Sequence, residues 1–175
     1  FILICAALVL LMTPGLAFFY GGLVRRKNVL TIMIQCFISM GIASVIWTIF
    51  GFSLAFGPTI GGIIGNFKYA FLNGVGFQPN ELYGSTIPFI AFFIYQGMFA
   101  VITPALITGA FADRVNFKSY IQFITLWIIL AYLPVTHWIW GGGFLAKLGV
   151  VDFAGGIVSH ATSGSAALAS VFFLG

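Results

Sequence analysis

Apolar positions in this chain recur neither at strand spacing nor as the narrow stripe of a surface helix; they run on almost unbroken. The stretch LTIMIQCFISMGIASVIWTIF, residues 30–50, contains no charged side chain and no strict alternation. A half-buried strand would alternate, and a lipid-facing β-barrel would need strands of about ten alternating residues, so neither accounts for it. Comparable runs lie near 1–22, 29–56, 87–111, 119–140 and 153–175. Each is as long as the roughly 20 residues of helix that cross a bilayer. The pattern predicts an all-α membrane protein, one transmembrane domain over 1–175 with five spans. Pro14, Pro104 and Pro134 fall inside predicted spans and should bend them, since each removes a helical N–H and crowds a carbonyl one turn back. The long second connection, GPTIGGIIGNFKYAFLNGVGFQPNELYGS (57–85), is rich in Gly and Asn yet still apolar, which suits a plain loop or a lid folded over one face.

Composition supports this reading. Hydrophobic residues make up 61% and charged residues 6% of the 175, against about a quarter charged in soluble domains. Too few charges remain to clothe a water-soluble surface. The net charge of +4 sits in short clusters between apolar runs and forms no stripe for a nucleic acid. Arg25, Arg26 and Lys27 occupy the first connection and Arg114 and Lys118 the third, whereas the second and fourth carry only Lys68 and Lys147. By the positive-inside rule this places connections one and three in the cytoplasm and the N-terminus outside, in a multi-pass protein of the cell membrane. The opening FILICAALVLLM has no charged n-region or cleavage site, so the chain is expected to begin within a longer protein. Cys5 and Cys36 lie in apolar runs without metal-ligand spacing and read as core residues, and no cofactor or metal motif is present.

The few polar residues in the spans need reasons. Asp152 stands where the fifth span should begin. There a carboxylate caps the free N–H groups of the helix, or alternatively attracts a cation. His160, eight residues on, falls about 12 Å deeper, so the two side chains cannot meet and a catalytic pair is ruled out. Gly156 and Gly164 flank it at i−4 and i+4, which directs the imidazole into the bundle either as a partner for a neighbouring helix or as a residue of a conduction path. Trp138 and Trp140 mark an interfacial belt, and His137 beside them reads as an ordinary interfacial residue. Trp140 precedes three glycines and should be uncrowded; its ring face, like that of Phe99, can attract a small cation.

Taken together, DFAGGIVSH (152–160), PGLAFFYGG (14–22), RRKNVL (25–30), TPALITGAFADR (103–114) and HWIWGGG (137–143) resemble the ammonium transporter (Amt/Mep/Rh) family, its Amt/Mep branch more than its Rhesus branch. The resemblance runs the length of the chain. It implies the first half of an eleven-helix fold, built from two inverted five-helix repeats, with the N-terminus outside, assembled as a homotrimer with one pore per subunit. Residue by residue it makes His160 the first of two pore histidines that share a hydrogen bond, and Phe99 part of an aromatic gate. Trp140 and Tyr95 become part of an outer ammonium site, Tyr95 standing where phenylalanine is common, and Asp152 a largely structural residue near the vestibule. By depth alone Phe99 belongs near mid-span, not at an outer gate. Ser159 departs from the branched apolar residue usual before the histidine, and is expected either to place a hydroxyl near the pore or to bond back into its own helix.

The function so implied is transport, not enzymatic catalysis. Ammonium is held by aromatic faces, loses its proton, and crosses as ammonia past a neutral imidazole, because an apolar tube penalises a bare cation. A PII-type cytoplasmic regulator is implied by the family alone. Two other readings stand beside this one: an ammonium sensor of the same fold, and a Rhesus-type channel for ammonia or carbon dioxide.

Overall fold

The computed structural model describes all residues, 1–175. Five helical segments are long and apolar enough to cross a membrane: Ile2–Leu23, Arg26–Phe56, Phe89–Phe111, Phe117–Lys147 and Gly156–Leu174. The last begins three residues later than the sequence suggests, because 153–155 form a bend and not a helical turn. The third span is the central one, packing against the first, second and fifth. Half of its most apolar window is buried, against 17% in the first and fifth spans. The outer faces of those two carry exposed Leu8, Leu11, Phe18, Phe172 and Phe173, surface that suits hydrocarbon and not water.

Single polar contacts fix how the spans meet. Tyr20 donates its hydroxyl to the Leu106 carbonyl at 2.8 Å, tying the first span to the third. Tyr120 donates to the Gln35 carbonyl at 3.1 Å and contacts the Thr108 hydroxyl at 2.9 Å, joining the fourth span to the second and third. Trp47 donates to the Phe93 carbonyl at 3.2 Å and packs edge-on against Phe52 and Phe56. Around it Tyr69, Phe89, Phe92 and Phe93 complete an aromatic core at one end of the bundle.

Pro14 and Pro104 lie within regular helix, whereas Pro134 follows a π-turn at Ile128–Tyr132. The wider turn makes room for the proline ring. A second π-turn, Trp47–Gly51, interrupts the second span without any proline.

The second connection is an ordered lid. Strands β1 (Thr59–Ile60) and β2 (Ile64–Gly65) form one antiparallel hairpin, with Thr59 opposite Gly65; β3 (Pro79–Asn80) and β4 (Gly84–Pro88) form another. Ser53 anchors it: its hydroxyl donates to the Asn66 carbonyl at 2.7 Å and accepts the Tyr69 N–H at 2.8 Å. Tyr83, in the turn before β4, donates to the Gly141 carbonyl at 3.3 Å. Burial, with Tyr69 nearby adding to it, pushes the Tyr83 phenol up to about 12.

Candidate functional site

The fourth span breaks at 140–143, leaving Trp140 at the end of its main helix and the short turn Phe144–Lys147 beyond. The glycines here are not spacers that leave the indole uncrowded, as the sequence suggested. A Cβ on Gly141 would overlap the Ala55 carbonyl and stand 2.7 Å from His137 Nδ1, so only glycine lets the two backbones meet. His137 is likewise not interfacial. It is fully buried, with Nδ1 2.8 Å from the Ala55 carbonyl and Nε2 2.8 Å from the Thr59 hydroxyl. A carbonyl oxygen can only accept, so the proton is on Nδ1 and Nε2 accepts from Thr59. The residue clamps the lid to the bundle.

Trp140 meets Phe99 edge to face, ring centroids 5.9 Å apart, and Phe99 meets Tyr95 in the same way at 5.2 Å. The three aromatics named from the sequence therefore form one contiguous row across the third and fourth spans. Phe99 lies ten residues into the helix Phe89–Ile107, near its middle as its place in the sequence suggests, and Trp140 reaches it from the end of the fourth span's main helix. On its other side Trp140 borders a cavity of about 480 Å³ beneath the lid, shared with Phe56, Thr59, Lys68 and Tyr83.

Asp152 joins this row to the fifth span. Its carbonyl accepts the indole N–H of Trp140 at 2.8 Å. Its carboxylate accepts the N–H groups of Gly156 (2.8 Å), Ile157 (2.8 Å) and Val158 (2.9 Å), three of the orphan donors at the helix start. Between them Gly155 turns the chain at φ +76, a left-handed conformation that favours glycine; a Cβ here would stand 3.6 Å from the Trp140 ring and 3.0 Å from the Ser159 hydroxyl.

The fifth span opens as a π-turn, Gly156–Ala161. As a result His160 answers to Gly155, five residues back, in place of the i−4 neighbour a regular helix would offer. The Gly155 carbonyl accepts the N–H groups of Ser159 and His160, both at 2.9 Å, and lies 3.0 Å from His160 Nδ1. The imidazole proton is thereby placed on Nδ1, and Nε2 is left with its lone pair. The ring is on the exposed face of the five-span unit and not enclosed within it. Ser159 turns the opposite way. It is buried at 3% exposure, with its hydroxyl 3.0 Å from that of Thr103, which also stands 2.6 Å from the Phe99 carbonyl. Its hydroxyl thus neither faces the His160 side nor bonds back into its own helix. Thr103 was missed by sequence reasoning because a threonine in a span ordinarily bonds its own helix. No cluster of three His, Cys, Asp or Glu side chains exists that would hold a metal.

Fold and site together define a multi-span membrane protein with an aromatic row beside a histidine-bearing helix break. The chain belongs to the Ammonium Transporter Family, whose profile matches residues 1–175. It is 50% identical over 175 residues to an ammonium transporter of Bacillus subtilis (strain 168), covering all of this chain and 43% of that protein. Among solved structures it superposes on Candida albicans Mep2 with a TM-score of 0.90 at 35% identity, over 99% of this chain and 38% of the other. It superposes on a sensor Amt protein with a TM-score of 0.89 at 30% identity, over 99% and 43%. The chain thus spans about two fifths of the length of these relatives.

Proposed function

We propose that this chain supplies the first half of a conduction unit that recruits ammonium at an outer aromatic site and passes it as ammonia beside a histidine. The observation that carries the reading is the link from ring to ring: Trp140 lies over Gly155, and the Gly155 carbonyl orients the His160 imidazole. Aromatic faces attract a small cation by about 2 kcal/mol or more once it is desolvated. Further inward no such compensation exists. The only carboxylate nearby, Asp152, is committed to three backbone N–H groups, and a bare cation in an apolar tube costs several kcal/mol. The permeating species is therefore neutral past the aromatic row. His160, with Nε2 free to accept, guides ammonia or takes its proton without carrying a fixed charge.

In this reading Tyr95, Phe99 and Trp140 bind substrate, His160 lines the pore, and Asp152 holds the two parts in register. The exposed face bearing His160 is covered by the second half of the longer protein, with the N-terminus outside, three copies forming a homotrimer and a PII-type protein as the cytoplasmic partner.

The test is His160→Ala in the full-length protein reconstituted in liposomes, with ammonium uptake and current recorded together. A tenfold or greater change in uptake, or in charge moved per ammonium, is the expected result. Unchanged uptake and current would overturn the proposal. The likeness to a sensor Amt protein favours one second reading, in which the same aromatic site reports ammonium to a cytoplasmic domain. An ammonium-dependent signalling output from a full-length protein without uptake would select it.

A further inference from the structure

The cavity of about 480 Å³ beneath the lid has aromatic walls, supplied by Phe56, Tyr69, Tyr83 and Trp140. Packing fixes these rings: Phe56 meets Tyr83 edge to face at 5.1 Å, and Tyr69 meets Phe89 in the same way at 5.2 Å. No carboxylate lines the cavity, and its one charged lining residue is Lys68. The Lys68 Nζ stands over the Tyr69 ring, 5.5 Å from its centroid, within the range at which a cation is drawn to an aromatic face.

This lysine does not spring from a loose surface tail. Asn66 Oδ1 accepts the Lys68 N–H at 2.9 Å, the Asn73 side-chain amide donates to the Lys68 carbonyl at 3.2 Å, and the Ser53 hydroxyl accepts the Tyr69 N–H at 2.8 Å. Its stem therefore starts from a fixed point at the cavity wall. Its head is a primary ammonium, with the charge and the N–H donors that an ammonium ion also carries. Lys68 thus takes up one aromatic face of the cavity and leaves the Trp140 ring to any cation that enters from solution.

We infer that Lys68 is a tethered competitor of the substrate, a fixed cation that sets the apparent affinity for ammonium without taking part in conduction. The inference rests on the reading in which Trp140 holds ammonium, and deepens it. A compact space of this volume is about 10 Å across, no more than about one Debye length at 0.1 M salt. Two unit charges at that separation oppose each other enough to lower occupancy about twofold in water-like surroundings and about tenfold in partly buried ones. Because the opposition is coulombic, it acts on KM and not on kcat, and salt weakens it.

The experiment measures saturable ammonium uptake by the full-length protein in liposomes. Lys68→Gln should lower KM at least twofold with kcat unchanged, Lys68→Glu should lower it further, and Lys68→Arg, which keeps the charge, should match wild type. Raising N-methylglucamine chloride from about 0.01 M to about 1 M shortens the Debye length from about 30 Å to about 3 Å, and should bring wild type and Lys68→Gln together. Gln and Glu variants with the wild-type KM would overturn the inference while leaving the transport reading standing. So would a KM difference that persists undiminished at high salt, since that would make shape and not charge the cause. Wild type without saturable ammonium uptake would overturn the transport reading, and this inference with it.

Discussion

Replacing Asp152 by alanine removes the acceptor for three backbone N–H groups at once, and the structure sets the scale of the loss. An ordinary N-cap bonds one or two donors and contributes about 0.5–2 kcal/mol. Here both carboxylate oxygens are used, at 2.8, 2.8 and 2.9 Å, on Gly156, Ile157 and Val158. Hydrogen bonds to a charged acceptor contribute about 1.5–3 kcal/mol each when buried. Asp152 is only partly buried, so water replaces some of them and the sum is discounted to about 2–4 kcal/mol. Asp152→Asn keeps one acceptor oxygen and turns an NH₂ group toward the remaining donors, so it should lose about half as much. The assay is thermal unfolding of the full-length protein in detergent, alongside ammonium uptake. The expected order of melting temperature is wild type, then Asn, then Ala, with uptake falling in step. Two results would refute the reasoning: an alanine variant as stable as wild type, or an asparagine variant of full stability that has lost all uptake, since the latter would give the charge itself a direct part in transport.

Gly141→Ala should prevent folding outright, because the added methyl overlaps the Ala55 carbonyl and crowds His137; a loss above about 4 kcal/mol is expected, read as absent expression of folded protein. Tyr83 should add an alkaline limit to stability. Its phenol is held neutral up to about 12 in the fold, whereas unfolded phenols ionise near 10. Its contribution is therefore complete below pH ~10 and is lost as pH rises from there through 12. Tyr83→Phe should flatten that decline in melting temperature, and an equally steep decline would count against the assignment.

The spans were legible because an apolar run of twenty residues has few other solutions in lipid, and the boundaries follow the sequence pattern to within a few residues at most ends. The aromatic row of Tyr95, Phe99 and Trp140 was legible only through family resemblance; spacing placed Phe99 near mid-span and ended the fourth span at Trp140, and both hold, but it does not say that the two rings meet. His137 was misread because interfacial position and complete burial look alike when the burying element, the lid around Thr59, lies nearly eighty residues away. The capping of the fifth span was readable in kind, as Asp before a helix, but the π-turn after it was not. That turn depends on Gly155 adopting a left-handed φ beneath Trp140, a tertiary constraint with no local signature.

Three spans contain such a wide turn, at Trp47–Gly51, Ile128–Tyr132 and Gly156–Ala161. Each holds one residue more than a regular coil needs, so each works as a phase shifter between the two ends of its rod. Excising a single residue from Gly156–Ala161 would let the segment wind down into ordinary helix with Thr162 to Leu174 left close to their present facing, whereas the same excision from a regular stretch would swing everything beyond it by about 100° about the axis. In these rods, one-residue insertions and deletions steer side chains as surely as substitutions do.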